Sequence, residues 1–119
     1  MRMMKMFRTV VAAGVLGGCA ATVYEGRLDW SDGWRKGSVT AVGTGATLAE
    51  KMSPACRSAF PGIRPDSPLI TIKYRRDRRY AWRTVPVPAE SDLKVGDPVY
   101  VNATDCAVPV ERQHRVPTK

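Results

Sequence analysis

Histidine is almost absent from this chain of 119 residues, since His114 is the only one. Nucleophilic catalysis by a Ser–His–Asp or Cys–His arrangement needs a histidine that is held rigidly beside the nucleophile. His114 lies in a polar segment near the end of the sequence, between Gln113 and Arg115, and residues 43–45 lack the Gly-Lys-Ser/Thr ending of a phosphate loop. We therefore predict that the protein is not an enzyme and that it binds no cofactor.

Long hydrophobic runs are absent too, and a permanent transmembrane helix needs about 20 apolar residues. One short run of apolar and small residues covers positions 9–18, directly after a start that contains Arg2, Lys5 and Arg8. A basic start, a short apolar run and an exit of small residues are typical of a secretory signal peptide. We therefore predict that residues 1–18 are a cleaved signal peptide and that no other segment crosses a membrane.

The apolar run ends in Leu16-Gly17-Gly18-Cys19, an aliphatic residue, two small residues and a cysteine. This tetrapeptide resembles the bacterial lipobox, and the resemblance implies cleavage before Cys19 and attachment of lipid to its thiol. Two or more acyl chains give stable attachment, so the predicted partner is a membrane. In enteric bacteria an Asp after this cysteine retains the protein in the inner membrane, so Ala20 favours the outer membrane, on its periplasmic face. The alternative is an ordinary signal peptide and an unmodified thiol.

Two further cysteines, Cys56 and Cys106, remain in the predicted mature chain. Because the periplasm is oxidising, a pair of this kind predicts a disulfide bond. Closing a loop of about fifty residues stabilises a fold by about 4 kcal/mol on the chain-entropy model. Free buried thiols and a metal site are the alternatives. Two isolated cysteines without a Cys-x-x-Cys spacing make a poor zinc site when the chain has one histidine, and we predict no metal.

Alternation of polar and apolar residues predicts short strands in most of the remaining chain. Residues 69–74 and 80–85 predict a hairpin with a charged connection, and residues 38–42 and 99–101 predict further strands. Four prolines make residues 53–68 a surface excursion rather than a long regular element. The predicted fold class is mainly β, a small antiparallel β-barrel or rolled sheet of the SH3-like or OB-like kind.

The predicted domain organisation follows from these elements. Trp30 and Trp34 flank a turn that leads into the first strand, and they either pack on the core or lie near lipid headgroups. The polar end of the chain, with two prolines, has the composition of a disordered tail. The predicted parts are a signal peptide at 1–18, a lipidated tether at 19–29, a β domain at 30–108 and a polar tail at 109–119.

Several short motifs occur in the order found in one family of lipoproteins. The lipobox is followed by Gly-x-Val-x-x-Val at residues 37–42, by the hairpin at 69–85 and by Gly-Asp-x-Val-x-Val at 96–101. In this order the chain resembles the SlyB-like outer-membrane lipoproteins. The family has a glycine-zipper membrane hairpin where this chain has residues 46–68, which are not apolar enough to enter a bilayer. The resemblance therefore implies a lipid-anchored small β domain and nothing that depends on the zipper.

The predicted hairpin combines many cations with aromatic side chains. Arginine binds phosphates and carboxylates through paired hydrogen bonds, and in the periplasm such groups belong to lipid A, phospholipid headgroups and peptidoglycan. We predict an anion-binding face and expect no nucleic acid as a partner. The alternative is a solvated hairpin tip whose charges protect an edge strand from pairing with other molecules. The predicted anion-binding residues are Lys73, Arg75, Arg76, Arg78, Arg79 and Arg83, with Tyr74, Tyr80 and Trp82 between them.

The sequence thus predicts a non-enzymatic lipoprotein of the outer membrane. Its β domain is expected to act as an envelope interaction or integrity module, whose basic hairpin faces anionic envelope components or an envelope protein. The alternative is a periplasmic ligand-binding module for lipopolysaccharide phosphates or cell-wall fragments. The two differ in shape, because a ligand binder needs a concave pocket rimmed by the hairpin arginines, whereas a surface module presents a convex basic tip.

Overall fold

The structure is a computed structural model that describes residues 22–114. The predicted signal peptide and Cys19 lie outside the described residues, as do residues 115–119. The strands are β1 (Val23–Tyr24), β2 (Leu28–Asp29), β3 (Trp34–Thr44), β4 (Pro68–Arg76), β5 (Arg79–Pro86), β6 (Pro98–Asn102) and β7 (Glu111–Arg112); the helices are α1 (Gly45–Leu48) and α2 (Pro54–Ala59), with 3₁₀ turns at Trp30–Asp32 and Ala49–Lys51.

Five of these strands form one antiparallel sheet in the order β5-β4-β3-β6-β7, and β1 pairs with β2 in a separate two-stranded sheet. The prediction of a mainly β, antiparallel fold is confirmed. The predicted barrel is wrong, because β5 and β7 are edge strands and do not pair with each other. Coil segments, rather than further strand pairing, close the apolar side of the sheet.

The main core lies on one face of this sheet. Coil residues Val87, Leu93, Ala103 and Val110 pack over it from the segments before and after β6. Alternate residues of neighbouring strands meet on the same face, and this explains why Ile70, Ile72 and Tyr74 of β4 are buried together. The buried members are Val39, Ile70, Ile72, Tyr74, Val85, Val99 and Val101.

A bulge in β3 gives the sheet a second, smaller core on its other face. Val39 pairs with Ile72 and Ala41 pairs with Thr71, so Thr40 is the extra residue between them. One additional residue reverses which side chains face each side of a sheet. Val39 therefore faces the main core, whereas Ala41 packs on the second cluster, whose buried residues are Leu48, Met52, Cys56 and Leu69.

The proline-rich excursion is connected to this second cluster by the disulfide. Ser53 caps α2, since its hydroxyl accepts a hydrogen bond from the backbone N–H of Cys56, and Pro54 occupies the first turn. Proline is favoured there because the backbone N–H groups of the first turn have no acceptor within the helix, so the N–H that proline lacks costs no hydrogen bond. Cys56 is buried and bonded to Cys106, so the predicted disulfide is confirmed and neither sulfur is free for a metal.

The folded part of the chain extends beyond both predicted boundaries. Leu28, within the predicted tether 19–29, is buried with Trp34 and Tyr100. Tyr24 stacks on Tyr100 with ring centroids 5.1 Å apart, and burial raises the pKa of Tyr100 to about 12. At the other end, β7 lies within the predicted tail 109–119 and pairs with β6. Both segments are short and polar along the chain, and only contacts with distant residues order them.

The disulfide closes a loop of 50 residues, so replacing Cys56 and Cys106 together by Ala should lower the free energy of unfolding by about 4 kcal/mol. Urea unfolding, followed by tryptophan fluorescence, measures the change. Wild-type protein reduced with dithiothreitol is the matched control and should unfold at the same urea concentration as the double variant. An unchanged urea midpoint in both samples would contradict the stabilising role of this bond.

Candidate functional site

The basic hairpin is built by β4 and β5, which pair without interruption from Leu69 opposite Pro86 to Arg76 opposite Arg79. Only Asp77 and Arg78 form the turn, and Asp77 has a positive φ of 55°. Asp and Asn tolerate this left-handed conformation better than most residues. The charged segment 75–79, expected as a connection, is therefore mostly strand, and its side chains have fixed directions.

The strand register divides the predicted cations between the two faces of the hairpin. Lys73 lies opposite Trp82, and Arg75 lies opposite Tyr80, so these four side chains share one face. On β3, Ser38 lies opposite Lys73, and Lys36 lies two residues earlier on the same side. We call the surface formed by Lys36, Lys73, Arg75, Tyr80 and Trp82 the basic face.

Cations and aromatic rings are in direct contact on the basic face. The Lys73 ammonium lies 4.3 Å from the ring centroid of Tyr80 and 5.9 Å from that of Trp82, and the Arg75 guanidinium lies 5.5 Å from Tyr80. Tyr80 and Trp82 are 53% and 59% exposed, which is unusual for such large rings. Cation–π attraction holds the charges close to the rings, so the face presents apolar and positive groups together.

Carboxylates do not neutralise these cations. The ion pairs among residues 22–114 join Arg27 to Glu111, Arg64 to Asp66, and Arg112 to both Asp92 and Asp97. None of them includes a cation of the basic face. Uncompensated positive charge at a surface attracts anions over distances close to the Debye length, about 8 Å at physiological salt.

Arg83 belongs to the predicted set but not to the basic face. It lies opposite Ile72, whose side chain is in the main core. Its guanidinium donates hydrogen bonds of 2.8 Å to the carbonyl oxygen of Ala103 and of 2.8 Å to the sulfur of Cys106. Arg83 therefore connects the edge strand β5 to the segment that crosses the sheet after β6. Its guanidinium forms hydrogen bonds within the domain.

The remaining arginines of the set, Arg76, Arg78 and Arg79, surround the tip of the hairpin. They line an open cleft of about 550 Å³ whose lining residues are the consecutive residues 76–81. A cleft with walls from a single hairpin cannot enclose a ligand, because pockets that bury small molecules have walls on several sides. The tip is therefore an open basic surface and not a pocket that encloses a ligand.

Lys36 was not predicted, and the structure brings it to the basic face. It lines an open cleft of about 400 Å³ together with Lys73, Arg75 and Tyr80. The alternation along 34–38 shows only that Lys36 and Ser38 share a side. The pairing of β3 with β4 decides which residues they meet, and no local pattern in the sequence reports that register.

His114 is exposed. Its backbone N–H donates a 2.9 Å hydrogen bond to the Glu25 carboxylate, and this bond lowers the pKa of Glu25. Residues 22–114 hold no group of three or more His, Cys, Asp or Glu side chains placed to bind a metal ion. Nor does that part of the chain contain a helix long and apolar enough to cross a bilayer.

Comparison with known proteins gives no match, whether with family models, curated proteins or solved structures. The resemblance to SlyB-like lipoproteins therefore stays a prediction from the sequence motifs. The same holds for the lipid attachment to Cys19, which lies outside the described residues.

The two roles of arginine on β5 predict different effects of one substitution. Arg83→Met should lower the free energy of unfolding by about 2 kcal/mol, because it removes charged hydrogen bonds to Ala103 and Cys106. Arg79→Met is the matched control on the same strand and should change it by less than about 0.5 kcal/mol, since Arg79 is exposed. Equal effects in urea unfolding would contradict the assignment.

Proposed function

We propose that the protein is a non-enzymatic lipoprotein of the outer membrane, exported by its first 18 residues and anchored on the periplasmic face through lipid on Cys19. In this proposal the β domain is an interaction module that holds anionic components of the envelope on its basic face. The lipobox and the basic, then apolar start of the chain support the proposed export and membrane anchoring. The Cys56–Cys106 disulfide supports export as well, because such bonds persist in oxidising compartments.

One observation carries the proposed binding activity: cations without carboxylate partners lie against exposed aromatic rings on the basic face. Lys73 and Arg75 contact Tyr80 and Trp82, and the ion pairs of residues 22–114 lie elsewhere. Phosphate groups and carboxylates are the abundant anions of the envelope, and arginine binds both through paired hydrogen bonds.

A purely protective role for the charges on edge strand β5 explains less of this geometry. Charged side chains on an edge do discourage pairing with another molecule. Protection alone gives no reason to expose Tyr80 and Trp82 by more than half on the same strand, because exposed aromatic rings favour association. Tyrosine, tryptophan and arginine are instead enriched in surfaces that contact a partner, and the basic face exposes all three.

Binding of a small ligand is favoured less than contact with an extended anionic surface. The clefts next to the hairpin cations are open, and the one at the tip is lined by residues 76–81 alone. An open face with distributed charge suits a partner that presents many anionic groups at once. Each contact is then weak, and their sum gives the affinity.

Lipidation is tested by mass spectrometry of the protein purified from membranes of the bacterium that expresses it. We expect a mature chain that begins at Cys19 and carries a diacylglyceryl group, because the lipobox ends there. A Cys19→Ser variant should lack the lipid and accumulate as uncleaved precursor. An unacylated amino terminus on the mature wild-type protein would overturn the proposed anchoring.

Anion binding is tested on a heparin column, with the purified protein kept in non-ionic detergent. Replacing Lys36, Lys73 and Arg75 together by Gln should lower the salt concentration at which the protein elutes, because these cations act as one surface. The matched control replaces three exposed cations from other parts of the domain, Lys51, Arg64 and Lys94, and has the same net charge. Equal elution of the two variants would show that only net charge matters and would refute the basic face.

A further inference from the structure

We infer that the basic face continues to Trp30, where the chain enters the domain, and that this whole surface lies flat on the anionic phospholipid headgroups of the membrane that carries the anchor. This inference rests on the proposed function and names the partner of the same surface. It assigns Trp30, Arg35 and Lys36 to membrane contact and fixes the orientation of the domain.

Trp30 is hydrogen-bonded to a residue that lies close along the chain to the predicted anchor. The backbone N–H of Trp30 donates a hydrogen bond of 2.9 Å to the carbonyl oxygen of Thr22, so these two residues are neighbours. Thr22 follows Cys19 by three residues, and three residues span at most about 10 Å. A lipid on Cys19 therefore holds Trp30 within a short distance of the bilayer surface.

Trp30 combines an exposed ring with a stacked cation. Its ring is 46% exposed, and the Arg35 guanidinium lies 3.7 Å from the ring centroid. Arg35 also donates hydrogen bonds of 2.8 Å to the carbonyl oxygens of Trp30 and Trp34, so its position is fixed. A tryptophan with a cation stacked on it suits the boundary between headgroups and acyl chains, where aromatic residues are enriched.

Two clefts that share lining residues connect Trp30 to the hairpin. A cleft of about 230 Å³ is lined by Trp30, Arg35, Lys36 and Arg75, with Tyr24 and Asp77. Lys36 and Arg75 also line the cleft of about 400 Å³ that reaches Lys73 and Tyr80. Asp77 is the one carboxylate among the residues that line these two clefts, against four cations. The combined surface is therefore basic from Trp30 to Trp82.

An anionic leaflet matches this surface in both charge and extent. Basic residues close to a membrane anchor are attracted by the negative potential of anionic lipids, and the attraction falls off within a Debye length. Trp30 at one end and Trp82 at the other are both exposed. When the surface lies flat, both rings reach the headgroup region, whereas contact through the hairpin tip alone brings only the β4–β5 end to the membrane.

The experiment uses the purified protein reconstituted in vesicles of phosphatidylcholine with phosphatidylglycerol, whose acyl chains carry bromine atoms that quench tryptophan fluorescence. Trp82→Phe leaves Trp30 as the exposed tryptophan, and Trp30→Phe leaves Trp82; Trp34 is buried and common to both. We expect quenching in both variants and its loss in vesicles of phosphatidylcholine alone. Adding Lys36→Gln, Lys73→Gln and Arg75→Gln should abolish it, whereas the control substitutions at Lys51, Arg64 and Lys94 should not.

The other outcomes overturn the inference in distinguishable ways. Quenching of Trp82 without Trp30 would mean that the hairpin alone contacts lipid, and quenching of Trp30 without Trp82 would mean that only the segment beside the anchor does. Equal quenching in phosphatidylcholine alone would show that the anchor, not charge, sets the orientation. Absence of quenching, with heparin elution still dependent on the basic face, would refute a lipid partner and leave the proposed function standing. Loss of that heparin dependence would refute the proposed function itself.

Discussion

The pairing of β3 with β4 is the constraint on which the rest of this structure depends. Its register, with one extra residue at Thr40, places Val39 in the main core and Ala41 on the second cluster. The same register places Ser38 beside Lys73 and so brings Lys36 to the cations of the hairpin. A slip of one residue would move apolar side chains into water, so burial of the two cores fixes the basic face as well.

Arginines that are close in the sequence have different physical roles because strand residues alternate between faces. Arg75 lies with exposed Tyr80, whereas Arg83 lies on the core side and bonds to Ala103 and Cys106. Partial burial of the Arg83 charge is tolerable because its guanidinium donates to two acceptors. A count of positive charges in the hairpin therefore overstates the proposed anion-binding surface, which includes Lys36 of β3 and excludes Arg83.

The proposed function combines a lipid anchor on Cys19 with a surface that begins close to the first described residues. Trp30 bonds to Thr22, close along the chain to Cys19, and Arg35 and Lys36 continue toward the hairpin. A lipid anchor raises the local concentration of anionic groups, so weak charge contacts suffice to orient the domain. The disulfide holds the excursion with α2 on the second cluster, which includes none of the residues of the basic face.

The sequence by itself determined the mainly β class and the β4–β5 hairpin, because alternation and turn residues are local patterns with direct physical causes. It also predicted the bond between Cys56 and Cys106, once Cys19 was assigned to lipid and two cysteines remained for an oxidising compartment. The open sheet order, the role of Arg83 and the membership of Lys36 in the basic face were decided by tertiary structure alone. So was the ordering of β1, β2 and β7, which depends on contacts with Trp34, Tyr100 and β6. Register and packing between distant segments leave no local trace in the sequence, since the same alternation allows several pairings until the cores are filled.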